Sequence, residues 1–235
     1  MICKLCGQHR KLIEAHIIPK SFFRFDPADQ KPARLATNLS GRYAQNIPKG
    51  IYDRGILCES CEHVFSPWDD YAADLFIKNW KAILPLIAGS EQIGYGTPKY
   101  DYPRLKLFFM SVLWRAAVSS HPMFQNVDLG PREAVLKQSI LLGDPGDINH
   151  FGVVLQAFDE ENVGMLNPQP ERLLGLRFIR IYLSHIIAFF KVDSRPFADP
   201  LDHIALGPGS ALALLQKPFV GSKERRVMQK LILSQ

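Results

Sequence analysis

The chain has 235 residues, 47% of them hydrophobic and 22% charged, the balance of a globular protein rather than a disordered one. Lys and Arg number 28 against 23 Asp and Glu, a net charge of +5, which permits a nucleic-acid partner without requiring one. The longest uncharged apolar run, Ile181 to Phe190, has ten residues and falls short of the roughly 20 that cross a bilayer. No apolar stretch follows a basic start at the N-terminus, so the expectation is no membrane span, no secretory leader and a cytoplasmic location.

The charge is unevenly spread. Residues 1–54 carry +6 and residues 215–235 carry +4, whereas 55–80 carry −4 and 81–214 carry −1. No internal repeat or low-complexity tract is visible.

Taken in chain order, Cys3 and Cys6 form a C-x-x-C pair at the start. Residues 20–50 hold Pro27, Pro32, Gly41, Pro48 and Gly50 among polar and basic residues and predict a long loop. A second C-x-x-C pair, Cys58 and Cys61, follows. A helix is then predicted from Ser66, with Pro67 at its first position and Asp69 and Asp70 complementing the dipole, or else a longer helix starting at the second pair. Pro85 and Gly89 limit its extent. Leu105, Phe108, Phe109, Val112, Leu113, Ala116 and Ala117 predict a helix over 103–120, with Arg104, Lys106 and Arg115 largely off the apolar stripe. Trp114 is expected to pack, and Arg115 to snorkel or pair with an acid. A third helix is predicted from Pro131 to about Gly143. Phe151 to Phe158 and Leu176 to Val192 read as strands, Gly207-Pro208-Gly209 as a turn, and 222–233 as a basic terminal helix. The fold class expected is α+β: a zinc module over 1–75, then a helical and β-rich region over 76–235.

The four cysteines are the only ones in the chain. Two short-range pairs in a chain without an export signal point to four thiolates on one zinc ion rather than to disulfides. Tetrahedral zinc takes two sulfurs from each tight turn. A knuckle, a hairpin and a pair opening a helix is the order of a treble-clef module.

Between the pairs lies His16-Ile17-Ile18-Pro19, and Leu57 precedes Cys58. With Cys3/Cys6 and Cys58/Cys61, these residues resemble the HNH endonuclease superfamily, the ββα-metal nucleases, over about residues 1–75. The resemblance implies a phosphodiester hydrolase acting on nucleic acid, expected to be DNA, with restriction or phage defence as a setting by family analogy. It implies His16 as the base that takes a proton from water and a divalent ion, commonly magnesium, as the second cofactor. The sequence departs from the family pattern in three places. Ala15 replaces the Asp before the His, Asp53 stands where Asn is usual, and Glu62 follows the fourth Cys with His63 behind it. One residue along a helix rotates about 100°, so only one of Glu62 and His63 can occupy the family position. Glu14 shares a strand face with His16 and is the candidate to stand in for the lost Asp.

Each of these residues also has a structural alternative. His16 could hold the loop, Asp53 could make a turn, and Glu62 and His63 could be surface residues of the helix. Arg10, Lys11, Lys20 and Arg24 are the predicted phosphate contacts, within a basic segment that includes Lys31, Arg34, Arg42, Lys49 and Arg54. Phe22, Phe23, Phe25 and Tyr43 lie among them, with core packing expected for Phe22 and Phe23. The rival to the nuclease is a zinc-stabilised nucleic-acid-binding module without catalysis. A further alternative is an interaction subunit that oligomerises or docks a partner through 76–235.

Overall fold

The computed structural model describes residues 1–23, 34–35, 45–46, 50–160 and 165–233, with backbone alone at 34–35, 45–46 and 231–233. Strand β1 (Ala15–His16) and strand β4 (Tyr52–Asp53) pair antiparallel, Ala15 opposite Asp53 and His16 opposite Tyr52. Between them β2 (Arg34–Leu35) and β3 (Gln45–Asn46) form their own antiparallel pair. The predicted loop therefore carries a small hairpin. Arg24, Phe25, Lys31, Arg42, Tyr43 and Lys49 lie outside the described residues.

Helix α1 spans Glu59–Ala73 with Cys58 at its N-cap. This corrects the start at Ser66 and bears out the longer alternative. Pro67 sits inside the helix, where it cannot donate to the carbonyl four residues back. Glu59 and Glu62, not Asp69 and Asp70, occupy the first turn. The helix continues through a wider turn at Asp74–Lys78 and a tight one at Trp80–Ala82. Strands β5 (Leu84–Ala88) and β6 (Glu91–Thr97) then form a hairpin where sequence reasoning placed only a helix limit.

Helix α2 (Tyr102–Val118) opens on Asp101, whose carboxylate accepts from the Arg104 amide at 3.0 Å. Helix α3 (Arg132–Leu142) ends at Gly143 in the left-handed conformation, as predicted. Next come β7 (Val153–Phe158), β8 (Gln169–Leu173), β9 (Leu176–Leu183) and β10 (Ile186–Lys191). The uncharged run from Ile181 falls on the β9–β10 hairpin. A short helix, α4 (Leu201–Ile204), strand β11 (Leu212–Lys217) and helix α5 (Lys223–Leu233) complete the chain. No described helix is long and apolar enough to cross a membrane.

Seven strands form one sheet in the order β5-β6-β11-β7-β10-β9-β8. Neighbours are antiparallel except β11 and β7. Alternation divides the central strands between two cores. Val153, Leu155, Ile179, Ile181, Ala188 and Phe190 join the cluster around α2. Val154, Phe178, Tyr182, Ile187 and Phe189 face a second cluster with Leu201 and Met228, beside α4 and α5. Burial on both faces explains why β9 and β10 lack a polar alternation.

Fourteen of the seventeen residues of α2 are buried. Its apolar surface meets Phe22, Phe76 and Phe190 through aromatic contacts of Phe108 and Phe109. The cluster around it runs from Cys3 to Leu214, so the segments 1–75 and 76–235 share one core. Two of the three cations placed off the stripe are in fact fully buried, Lys106 and Arg115, while Arg104 is exposed. Lys106 donates to the Asp147 carbonyl at 3.2 Å and lies over the Tyr102 ring. Burial pulls its pKa down to about 7.

Arg115 pairs with an acid, as one of its two sequence alternatives had it. Its Nη1 and Nη2 donate to the Asp69 carboxylate at 2.9 and 2.7 Å. Nη1 also donates to the His16 carbonyl at 2.9 Å, Nη2 to Ser111 Oγ at 3.0 Å, and Nε to the Ser111 carbonyl at 3.3 Å. Removing one partner of a buried pair strands the other and costs about 3–5 kcal/mol. Arg115→Met is therefore expected to lose about that much in chemical denaturation; a near-neutral variant would contradict this role.

Candidate functional site

The first pair of cysteines sits in a tight turn. The Cys3 amide donates to the Gln8 carbonyl at 3.0 Å and the Gly7 amide to the Cys3 carbonyl at 2.8 Å, closed by a bridge between Ile2 and His9. The Lys4 amide donates to the Ile56 carbonyl at 2.9 Å, and Lys4 Nζ to the Val118 carbonyl at the end of α2. These bonds bring the turn to Leu57-Cys58. The Cys58 amide donates to Cys3 Sγ at 3.4 Å. All four sulfurs lie within 4.8 Å of one another, and sulfurs on a tetrahedral zinc with bonds of about 2.3 Å would be about 3.8 Å apart. The cluster of Cys3, Cys6, Cys58 and Cys61 can thus hold a metal ion. The Ser60 hydroxyl, 3.3 Å from Cys58 Sγ, leads the contacts that lower that thiol to about 6, whereas burial pushes the neighbouring Cys61 thiol up; the thiolate is the ligating form.

His16 lies half-buried on β1, four residues after Leu12, which bridges to Cys58. Its ring meets the Tyr52 ring across the hairpin at 6.3 Å. Gly50, with φ of +78°, closes the other side. A Cβ there would lie 2.9 Å from Phe23 and 3.5 Å from His16, so only glycine fits.

The main chain of His16 is gripped at both ends. Its carbonyl accepts from Arg115, and its amide donates to the Glu62 carboxylate. Burial pushes the Glu62 carboxyl above its ordinary range, against the pull of Arg115. Glu62 Oε2 is buried and has no hydrogen-bond partner among the described residues. His63, one position on, is exposed. Of the two rivals, the helix turns Glu62 toward His16.

Asp53 goes elsewhere. It pairs with Ala15, and alternation places it on the face opposite His16 and Tyr52. Its Oδ2 accepts from Ser119 Oγ at 2.9 Å, the Ser120 amide at 2.7 Å and Ser120 Oγ at 3.0 Å, and its Oδ1 from the Gly55 amide at 2.7 Å. The structure does not bring it to His16 and gives it the turn role that was its alternative, with an added tie to the end of α2. Glu14 pairs with Arg54 at the surface. Arg10, Lys11 and Lys20 are exposed, Arg10 bonding Gln8 at 2.9 Å. Phe22 and Phe23 are buried in the core as expected.

Arg115, Tyr52 and Gly50 are neighbours of His16 that the sequence did not reveal. Only Gly50 left a local signal, as a glycine in a polar loop. The others meet His16 through pairings distant in the chain.

Burial raises the Asp53 pKa, but its four hydrogen bonds outweigh this and hold it below 3.8. Its stabilisation is therefore complete above about pH 4 and lost as pH falls through the folded value. Asp53→Asn should cost about 1–3 kcal/mol at neutral pH. Melts of both proteins should converge as the pH drops below about 4; a pH-independent gap would contradict this.

The chain matches no protein-family model, no curated protein and no solved structure.

Proposed function

We propose that the chain is a metal-dependent HNH-like endonuclease that hydrolyses phosphodiester bonds, of DNA in the first instance, and carries a structural zinc on Cys3, Cys6, Cys58 and Cys61. The observation that carries the reading is the arrangement at His16. A strand with this histidine pairs with a second strand, a helix opens on the cysteine pair behind it, and that helix sets a buried, unpartnered carboxylate oxygen of Glu62 next to the histidine. Four thiolates are the soft donor set that zinc takes.

A divalent cation such as magnesium fits a hard carboxylate oxygen, and when bound supplies positive charge for the scissile phosphate and the leaving oxygen. Glu62 is the residue that would hold it. His16 takes a proton from the attacking water, a task suited to an imidazole at neutral pH. Tyr52 and Gly50 confine the ring, and the two bonds to its main chain fix the direction from which it acts. The exposed Arg10, Lys11 and Lys20, with Arg24, would engage phosphates to either side. The setting would be restriction or phage defence, with a partner or second copy engaging 76–235.

The engagement of Asp53 by four hydrogen bonds favours a second reading, a zinc-stabilised binding module without catalysis. A cleavage assay on supercoiled DNA with magnesium or manganese separates the two. Wild type should nick, and His16→Ala should fall at least 100-fold, on the order expected for loss of a general base, while retaining its zinc. Salt-sensitive binding with no nicking under any divalent ion would instead support the second reading. Metal analysis should give one zinc per chain in the wild type and none in Cys58→Ser. A wild-type chain purified metal-free and fully folded would refute the zinc assignment.

A further inference from the structure

The outer surface of α5 carries charge of one sign. From Lys223 to Lys230 the helix holds four cations, Lys223, Arg225, Arg226 and Lys230, against one acid, Glu224. That acid does not reach the surface. Glu224 is buried, held by Lys217 at 2.8 Å and by the Tyr182 hydroxyl at 3.1 Å. Lys223, Arg226 and Lys230 are exposed. At about 100° and 1.5 Å per residue, these three fall within an arc of about 60° and span about 10 Å along the helix axis. Glu224 and Met228 lie on the other side of the helix, against the sheet.

The positive stripe is little compensated. Among the described residues, neither Arg226 nor Lys230 has an ion-pair partner. Lys223 has Glu171 at 3.4 Å, an exposed contact that water and salt weaken, and Glu171 is itself held by Arg180 at 2.7 Å. Charge complementarity therefore calls for a polyanion. A membrane surface would also need a free apolar side on the helix. Of the two apolar side chains from Lys223 to Lys230, Met228 is spent in the core beneath the sheet and Val227 alone is exposed. A nucleic-acid strand needs no apolar face. Its phosphates rise by about 3.4 Å each, so a stripe of about 10 Å covers about three phosphate steps.

We propose that the outward face of α5, through Lys223, Arg226 and Lys230, docks the phosphate backbone of nucleic acid. The helix packs on the face of the sheet opposite α2, so this surface is separate from His16 and does not rest on the nuclease reading. Backbone contacts of this kind carry no base information, and binding here is independent of sequence.

Fluorescence anisotropy of a labelled 20-base-pair DNA duplex, titrated with the full chain at several salt concentrations without added divalent ion, tests this. Cleavage plays no part under these conditions, so an inactive His16 would leave the result unchanged. Reversing the stripe with Lys223→Glu, Arg226→Glu and Lys230→Glu together should weaken binding at least about tenfold near 0.1 M salt and flatten the slope of log K against log salt by about 3. Replacing the same three exposed residues by Gln keeps a good helix former at each and should flatten the slope likewise. No duplex binding by the wild type would overturn the proposal, as would a slope unchanged in both variants. Equal or tighter binding to phosphatidylserine vesicles would overturn it in favour of a membrane surface.

Discussion

A buried guanidinium is the constraint around which this chain is organised. Arg115 is wholly enclosed, and a charge taken out of water is tolerable only when its hydrogen-bonding capacity is met. Five bonds meet it, drawn from three elements: Ser111 one turn back, Asp69 on α1 and the His16 carbonyl on β1. The Phe65 ring covers it, its centroid 4.9 Å from the guanidinium carbon. Lys106 on the same helix is answered by one carbonyl and one ring, and burial pulls its pKa to about 7. The fuller satisfaction at Arg115 is what fixes the N-terminal strands against the central helix.

That fixation has a chemical consequence. With Arg115 on its carbonyl and Glu62 on its amide, His16 cannot change its main-chain direction without breaking a bond at a buried group. The cysteine cluster sets the start of α1 through Cys58 and Cys61 and thereby places Glu62 one residue later. In the proposed enzyme the soft thiolate site is the builder and the hard carboxylate site beside it the working part, two donor sets that select different ions. Asp53 belongs to the frame instead, holding β4 to the residues that follow α2, Ser119 and Ser120.

How legible this was in the sequence depended on how local the determining contact was. The cysteine pairs were plain because two sulfurs from one turn must be near in sequence. Helix α2 was plain from its periodicity and α3 from its closing Gly143. The start of α1 was misplaced because Ser66 and Pro67 mimic an N-terminus, while the true start is set by Cys58 and its contact with Cys3, 55 residues away. The β5–β6 hairpin was hidden by its breakers. Gly94 in β6 is needed because β11 passes close, and a Cβ there would strike the Leu214 carbonyl oxygen. The position of Asp53 away from His16 was hidden because strand register, set by the pairing of Ala15 with Asp53, decides which face it takes. The burial of Arg115 was invisible for the same reason, since a cation off an apolar stripe reads as exposed until a second surface is known to cover it.

The central claim is that Glu62, beside the proposed base His16, would hold a hard cation apart from the thiolates. Manganese titration of the zinc-loaded chain, followed by electron paramagnetic resonance, tests it directly. The account predicts one manganese site in the wild type, lost in Glu62→Gln and kept in His63→Ala, with zinc content unchanged throughout. Manganese binding that survives Glu62→Gln, or none in the wild type, would contradict it.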